Sequence, residues 1–216
     1  MEIPHFVRND NIFFRCYPGN ILILLFLLFL PLTSRCQLLD SLSLDTVTPC
    51  TSIKEAMTDT GSIIKLDLSK QGLKAFPEEI RKLHNLQYLD LSKNKITELP
   101  DWIGELKNLQ FLILSKNKIE QLPSGFCDLT HLKYFIMNRS ELRGLPRCIG
   151  DLKELRSMDL WDDNLSYFPP ELKDISGNLQ TLDLRDVLIN RATQADLKAL
   201  LPNTTIYFSP SCPCEQ

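Results

Sequence analysis

Leu86–Asn108 reads LQYLDLSKNKITELPDWIGELKN, and Leu109–His131 reads LQFLILSKNKIEQLPSGFCDLTH. The two stretches have the same length and carry leucine at the same places. Working outward, the template recurs before them as Ile63–Asn85. After them come Leu132–Glu154, a slightly longer Leu155–Asn178, and a degraded copy from Leu179, six copies in all. A fixed period of this size predicts a solenoid, in which each unit buries its apolar side only against its neighbours.

Within each copy the Leu-x-Leu stretch alternates with a period of two, the mark of a short strand with one buried face. Leu66 and Leu68, Leu89 and Leu91, Leu112 and Leu114, and Leu182 and Leu184 are therefore assigned to the core. One strand per copy predicts a parallel sheet whose strands return through crossovers. Pro77, Pro100, Pro123, Pro146 and Pro169 hold one place in five copies, where a fixed φ and a missing N–H suit a tight turn or a helix start. Ile80/Leu83, Ile103/Leu106, Phe126/Leu129 and Ile149/Leu152 are expected to fold back onto the strand layer.

The chain leaves the sheet at the ninth position, where buried backbone groups need side-chain partners. Asn94 and Asn117 supply a donor and an acceptor there. Gln71, Ser140, Asp163 and Val187 stand at the equivalent places. Serine reaches less far than asparagine and valine cannot donate, so the fourth and sixth turns are expected to be less regular.

The pattern L-x-x-L-x-L-x-x-N-x-L followed by x-x-L-P-x-x-I-x-x-L resembles the leucine-rich repeat family in its 23-residue class, over about two-thirds of the chain. The resemblance implies an α/β solenoid with a parallel sheet on the concave face and short helices or turns on the convex face. It also implies a small exported protein of bacterial type that binds a protein or peptide partner without catalysis. Fold alone does not fix function.

Repeat arrays need end caps. Ser52-Ile-Lys-Glu55 is a capping-box pattern that predicts a short helix through about Met57. At the other end, Gln194–Leu201 reads as an amphipathic helix stopped by Pro202, and Thr205–Phe208 reads as a last edge strand. The chain divides into residues 1–36, a cap over 37–62, the repeats with their capping helix over 63–203, and a strand and cysteine-containing tail over 204–216.

Residues 1–36 stand apart from the array. Ile21–Leu30 is an uncharged apolar run preceded by Arg8 and Arg15. It falls short of the ~20 residues that span a bilayer as a helix. Ser34-Arg35-Cys36 places small residues at the −3 and −1 sites of a cleavage before Gln37, the layout of a secretory signal. The expected location is secreted, periplasmic or cell-envelope. The alternatives are a retained anchor, lipidation at Cys36, or a cytoplasmic protein if the segment is not an export signal. Membrane contact is expected only if the segment is retained or Cys36 is lipidated.

Removing the first 36 residues takes away three basic and two acidic side chains, which leaves 21 against 25 and a net charge of −4. With no polybasic segment, nucleic-acid binding is not indicated. Cys50, Cys127, Cys148, Cys212 and Cys214 remain, an odd number that argues against a complete disulfide framework. Cys127 and Cys148 sit at different positions of their repeats and read as small core fillers. Cys212-Pro-Cys214 lacks further ligands for a metal. Oligomeric state stays open.

Catalytic chemistry is not indicated. His84 and His131 lie near repeat junctions, away in sequence from any partner at metal or triad spacing. No glycine-rich phosphate loop occurs. Asp67, Asp90, Asp159 and Asp183 recur at the fifth position and are expected to form a column neutralised by neighbouring Lys and Arg. No cofactor is called for. An exported effector enzyme is disfavoured because no stretch is left to carry a separate catalytic domain.

Alternate strand residues leave the core and form the concave surface. The third position runs Lys65, Tyr88, Phe111, Tyr134, Ser157 and Thr181, and the fifth includes Ile113 and Ile136. Tyr88, Phe111 and Tyr134 should therefore stack beside Ile113 and Ile136, with Trp161 one strand further along. Grouped solvent-facing aromatics mark a contact site, although cross-strand aromatic pairs also stabilise a sheet. The six residues are the expected seat for a protein or peptide. At the eighth position Lys70, Lys93, Lys116 and Arg139 give way to Asp162 and Asp186, a rim that turns from basic to acidic. An intracellular signalling regulator of the same fold is the alternative to an exported scaffold.

Overall fold

The computed structural model describes residues 38–209. The apolar leader, Cys36 and the Cys212-Pro-Cys214 tail lie outside the described residues. Seven strands form one parallel sheet in chain order: β1 Lys65–Asp67, β2 Tyr88–Asp90, β3 Phe111–Ile113, β4 Tyr134–Ile136, β5 Ser157–Asp159, β6 Thr181–Leu184 and β7 Thr205–Phe208. Each residue lies opposite its equivalent in the next copy: Lys65 faces Tyr88, Tyr88 faces Phe111, and Phe111 faces Tyr134. This register stacks like positions into columns that run the length of the array. The apolar columns Leu66–Leu89–Leu112–Phe135–Met158–Leu182 and Leu68–Leu91–Leu114–Met137–Leu160–Leu184 are buried.

The first five crossovers are short 3-10 helices: Glu78–Lys82, Asp101–Glu105, Ser124–Asp128, Arg147–Asp151 and Pro170–Ile175. A proline in extended conformation precedes each of them, at 77, 100, 123, 146 and 169. Five or six residues are too few to close a stable α-helix alone, and a 3-10 turn crosses the same gap with fewer residues. Each turn aims its isoleucine, phenylalanine or leucine at the strand layer, and Ile80, Ile103, Phe126, Ile149 and Leu172 are all buried. The second and third turns pack closely because both carry glycine. A Cβ on Gly125 would lie 1.8 Å from the Asp101 carbonyl oxygen, and one on Gly104 would lie 2.3 Å from the Gly125 oxygen.

Cys127 and Cys148 are not separate core fillers: they are joined as a disulfide, with Cα atoms 5.7 Å apart. Their different places in the repeat are the reason they meet. A separation of 21 residues, two short of the repeat, brings the last part of one 3-10 turn beside the first part of the next. Cys50 is buried and unbridged, and burial raises its thiol pKa.

The asparagine ladder forms as its chemistry requires. Asn94 Oδ1 accepts from the Gln71 and Leu73 amides, and its Nδ2 donates to the Leu68 and Leu91 carbonyls. Asn117 repeats this with Ile96, Leu91 and Leu114. The backbone turn itself is kept in all six copies. Lys70, Lys93, Lys116, Arg139, Asp162 and Asp186 all take the left-handed conformation, with φ between 54° and 61°. Ser140 reaches less far than asparagine, as expected: its Oγ lies 3.5 Å from the Leu114 carbonyl oxygen, while its own N–H is accepted by Asp163 Oδ1 at 2.8 Å, the ladder bond that Gln71 N makes to Asn94.

Three helices flank the array. α1, Ser41–Thr46, is capped by Asp40, whose Oδ1 accepts from Ser43 N at 2.7 Å. The sequence pattern gives no warning of it. α2, Ile53–Ala56, occupies the expected place, but Ser52 makes no side-chain cap bond. α3, Arg191–Leu200, starts earlier than Gln194 because Asn190 caps it by accepting from Thr193 N at 2.9 Å. Its Leu197 closes the core at this end. Among the described residues no helix is long and apolar enough to cross a membrane.

Candidate interaction surface

The register places the third-position side chains of β1 to β4 in one row on the outer face of the sheet. Phe111 stacks on Tyr134 with ring centroids 4.4 Å apart and planes 13° apart, and Tyr88 sits tilted against Phe111 at 5.9 Å. Lys65 Nζ lies 4.6 Å from the Tyr88 ring centroid, which extends the row with a cation–π contact. Ile113 and Ile136 are half-buried beside it. The expected ladder is therefore present, although its members do not all face water. Phe111 is 6 % exposed, and it lies outside the continuous core of the array.

Trp161 continues the row with partners of its own. The Arg139 guanidinium lies 4.3 Å from its ring centroid, and its Nε1 donates to Asp186 Oδ2 at 2.7 Å. This cluster is the point where the eighth-position row changes sign, since Arg139 also pairs with Asp162 at 3.3 Å. Trp161 is thus held in one orientation by a cation on one side and a carboxylate on the other.

The fifth-position aspartates also have a local structural job. Asp67, Asp90, Asp159 and Asp183 each accept the backbone N–H two residues on, from Ser69, Ser92, Trp161 and Arg185. Of the four, Asp183 also pairs with an arginine, Arg185. Burial raises the pKa of Asp90 and of Asp159. A short side chain that closes on its own backbone is the usual way aspartate fixes a turn. The column therefore shapes the exit from each strand.

Gln87, Gln110 and Lys133 hold the second position of three successive copies, one residue ahead of β2, β3 and β4, and the repeat pattern assigns them no role. Lys133 Nζ donates to Gln110 Oε1 at 2.6 Å, and Gln110 Nε2 donates to Gln87 Oε1 at 2.9 Å. Both glutamines are buried. They hold the start of the described chain: Gln87 Oε1 accepts from Leu39 N, and Gln110 Nε2 donates to Leu39 O, each at 2.9 Å. The readable signal is three long polar side chains stacked at the threshold of the aromatic strands.

His131 is not unpaired: its Nδ1 lies 2.7 Å from Glu154 Oε1, one repeat on. The pair continues a row at the repeat ends in which Asn85, Asn108 and Asn178 donate to the Gly61, His84 and Lys153 carbonyls. This is stitching between copies. Among the described residues no cluster of His, Cys, Asp and Glu could hold a metal.

The family described as "Leucine-rich repeat region" matches residues 62–201. No protein among curated sequences matches the chain. Among solved structures, a leucine-rich repeat protein of Leptospira interrogans is similar at 27% identity and a TM-score of 0.58, over 76% of this chain and 49% of that one. Internalin C2 of Listeria monocytogenes is similar at 25% identity and a TM-score of 0.62, over 74% of this chain and 67% of that one. A chain of the PEPR1–AtPEP1 structure is similar at 28% identity and a TM-score of 0.55, over 69% of this chain and 21% of that one. The chain thus spans about half the length of the Leptospira protein and about a fifth of the PEPR1–AtPEP1 chain.

Proposed function

Because this chain belongs to the leucine-rich repeat family, we propose that it is a non-catalytic scaffold that binds a protein or peptide on its concave face. The observation that carries this reading is the stacked row Tyr88–Phe111–Tyr134 with Ile113 and Ile136 beside it. Rigid aromatics offer a large contact area at little entropic cost, and they dominate binding hot spots. Tyr88, Ile113, Tyr134, Ile136 and Trp161 are all half-buried, so each keeps surface that a partner can reach.

We also propose export, with cleavage before Gln37. The Cys127–Cys148 disulfide supports an oxidising compartment, where such bonds persist. An intracellular regulator with the same fold would have to keep this pair reduced.

Panning a random peptide display library on the protein tests the binding surface before any partner is identified. Tyr134→Ala combined with Ile136→Ala should weaken the selected peptides at least ~10-fold, given that a hot-spot side chain contributes more than about 1 kcal/mol. Lys118→Ala, an exposed change outside the strands, should leave them unaffected. Peptides that bind the double variant as tightly as the parent would remove the concave face from consideration.

A further inference from the structure

Residues 38–47 form a strap along the leading edge of the concave face. Its first fixed point is Leu39, both of whose backbone polar groups are taken by side-chain amides. Gln87 Oε1 accepts from the N–H, and Gln110 Nε2 donates to the carbonyl. Such a clamp reads a peptide backbone and ignores its side chain. The second fixed point is Leu44, 1 % exposed although the other described residues of α1 are half-buried or exposed, with Leu42 at 80 %.

Leu44 and Phe111 are both buried yet stand outside the continuous core of the array. Each therefore owes its burial to something other than the repeat interior, and the strap and the aromatic row are neighbours through the Gln87–Gln110 clamp. The Tyr88 phenol supports the proximity: burial above all, then Asp90, Asp67 and the strap's own Asp45, raise its pKa. Asp40 points the same way, because its carboxyl pKa is lowered first by Ser43 and also by Lys133 of the adjoining row. After Val47 the chain leaves this edge and joins the array where Cys50 bridges Leu66.

We propose that Leu38–Thr46 is a tethered occupant of the recognition seat, and that the partner is an acidic peptide that carries a leucine on a short helical turn, as the strap does, and displaces it. The proposal rests on the concave face being the recognition surface. The incoming backbone takes the Gln87–Gln110 clamp, and its leucine replaces Leu44 beside Phe111. Its carboxylates take the places of Asp40, near Lys133, and of Asp45, near Tyr88, so the strap's own Leu-Asp-x-x-x-Leu-Asp spacing describes the ligand. Occupied by its own strap, the protein hides an aromatic surface and a buried amide pair until a competitor arrives.

The test uses the full chain and a fluorescein-labelled synthetic peptide of residues 38–47, LLDSLSLDTV, followed by anisotropy. Leu44→Glu frees the strap and should bind the peptide at least ~10-fold more tightly than the unmodified chain, a difference of about 1.4 kcal/mol. Adding Gln110→Ala to Leu44→Glu should abolish that gain. Leu39→Pro, which removes the N–H accepted by Gln87, is the second route to a freed strap and should act like Leu44→Glu. Equal binding to the parent and to both freed chains, or binding to none of them, overturns the proposal. Failure of both freed chains to fold, judged by circular dichroism, makes the strap part of the core and overturns it too. If panned peptides remain sensitive to Tyr134→Ala/Ile136→Ala while the strap peptide never binds, the face recognises ligands and the strap is not their competitor.

Discussion

Replacing Asp163 by asparagine is expected to stabilise the protein at pH 8 and to flatten its stability between about pH 4 and pH 7. Asp163 stands on the asparagine ladder and is buried. Its Oδ1 does the ladder's accepting job at Ser140 N. Its Oδ2, in the place of the amide, is buried without a hydrogen-bond partner. By the offsets that Asn94 and Asn117 keep, that atom belongs beside the Met137 and Leu160 carbonyls, where only a donor is welcome. A proton on Oδ2 satisfies the site, whereas an ionised carboxylate there sets negative charge against carbonyl oxygens.

Burial accordingly pushes the Asp163 pKa up to about 7, with Asp159 and Asp162 adding to the rise and the Ser140 and Leu142 amides opposing it. The unfolded chain should titrate near the ordinary value of about 3.9. The folded state therefore holds this proton more tightly than the unfolded state. Stability is full below about pH 4, falls as pH rises through the window, and levels off above about pH 7. The drop is at most about 4 kcal/mol, since a tenfold difference in proton affinity between the two states is worth about 1.4 kcal/mol. Asparagine carries the donor permanently, so Asp163→Asn should show no such fall. Urea unfolding of both chains at pH 4, 6 and 8 checks this; identical slopes against pH would mean that Asp163 is already satisfied.

Leu112→Ala should lower stability by about 2–5 kcal/mol, the range for emptying a buried leucine site. Leu112 is fully buried on β3, between Leu89 and Phe135 in the central column. The 3-10 turns behind it are fixed in place by close backbone contacts and by the Cys127–Cys148 bridge. The cavity thus has little room to collapse, which favours the upper half of the range. In a solenoid, stability sums over neighbouring interfaces, so a break at the centre uncouples the two halves. A thermal midpoint unmoved by Leu112→Ala would contradict the register of the sheet.

The repeat made the strands, the buried columns and the asparagine contacts legible, because each is a local pattern copied several times. Side chains that act once were harder to see. Gln87 and Gln110 look neutral beside a period-two strand, and their partner Leu39 lies 48 and 71 residues away. The helix around Leu44 buries a single residue, so it leaves no amphipathic trace. Cys127 and Cys148 looked unrelated because their offset matters only once the 3-10 turns stack. The aspartates were legible as a charged column, and the closure of each onto its own backbone was not. The aromatic row was legible as a row, and its cover was not.

Recognition at the leading edge of the concave face is tested most directly by amide hydrogen exchange on the full chain, with and without a saturating panned peptide. Bound peptide should protect the amides around residues 87–88, 110–111 and 133–134. It should also expose those of Leu44 and Val47, whose bonds to Asp40 and Leu44 hold α1 closed. Protection confined to the 3-10 turns, with the strap amides unchanged at full occupancy, would contradict the account.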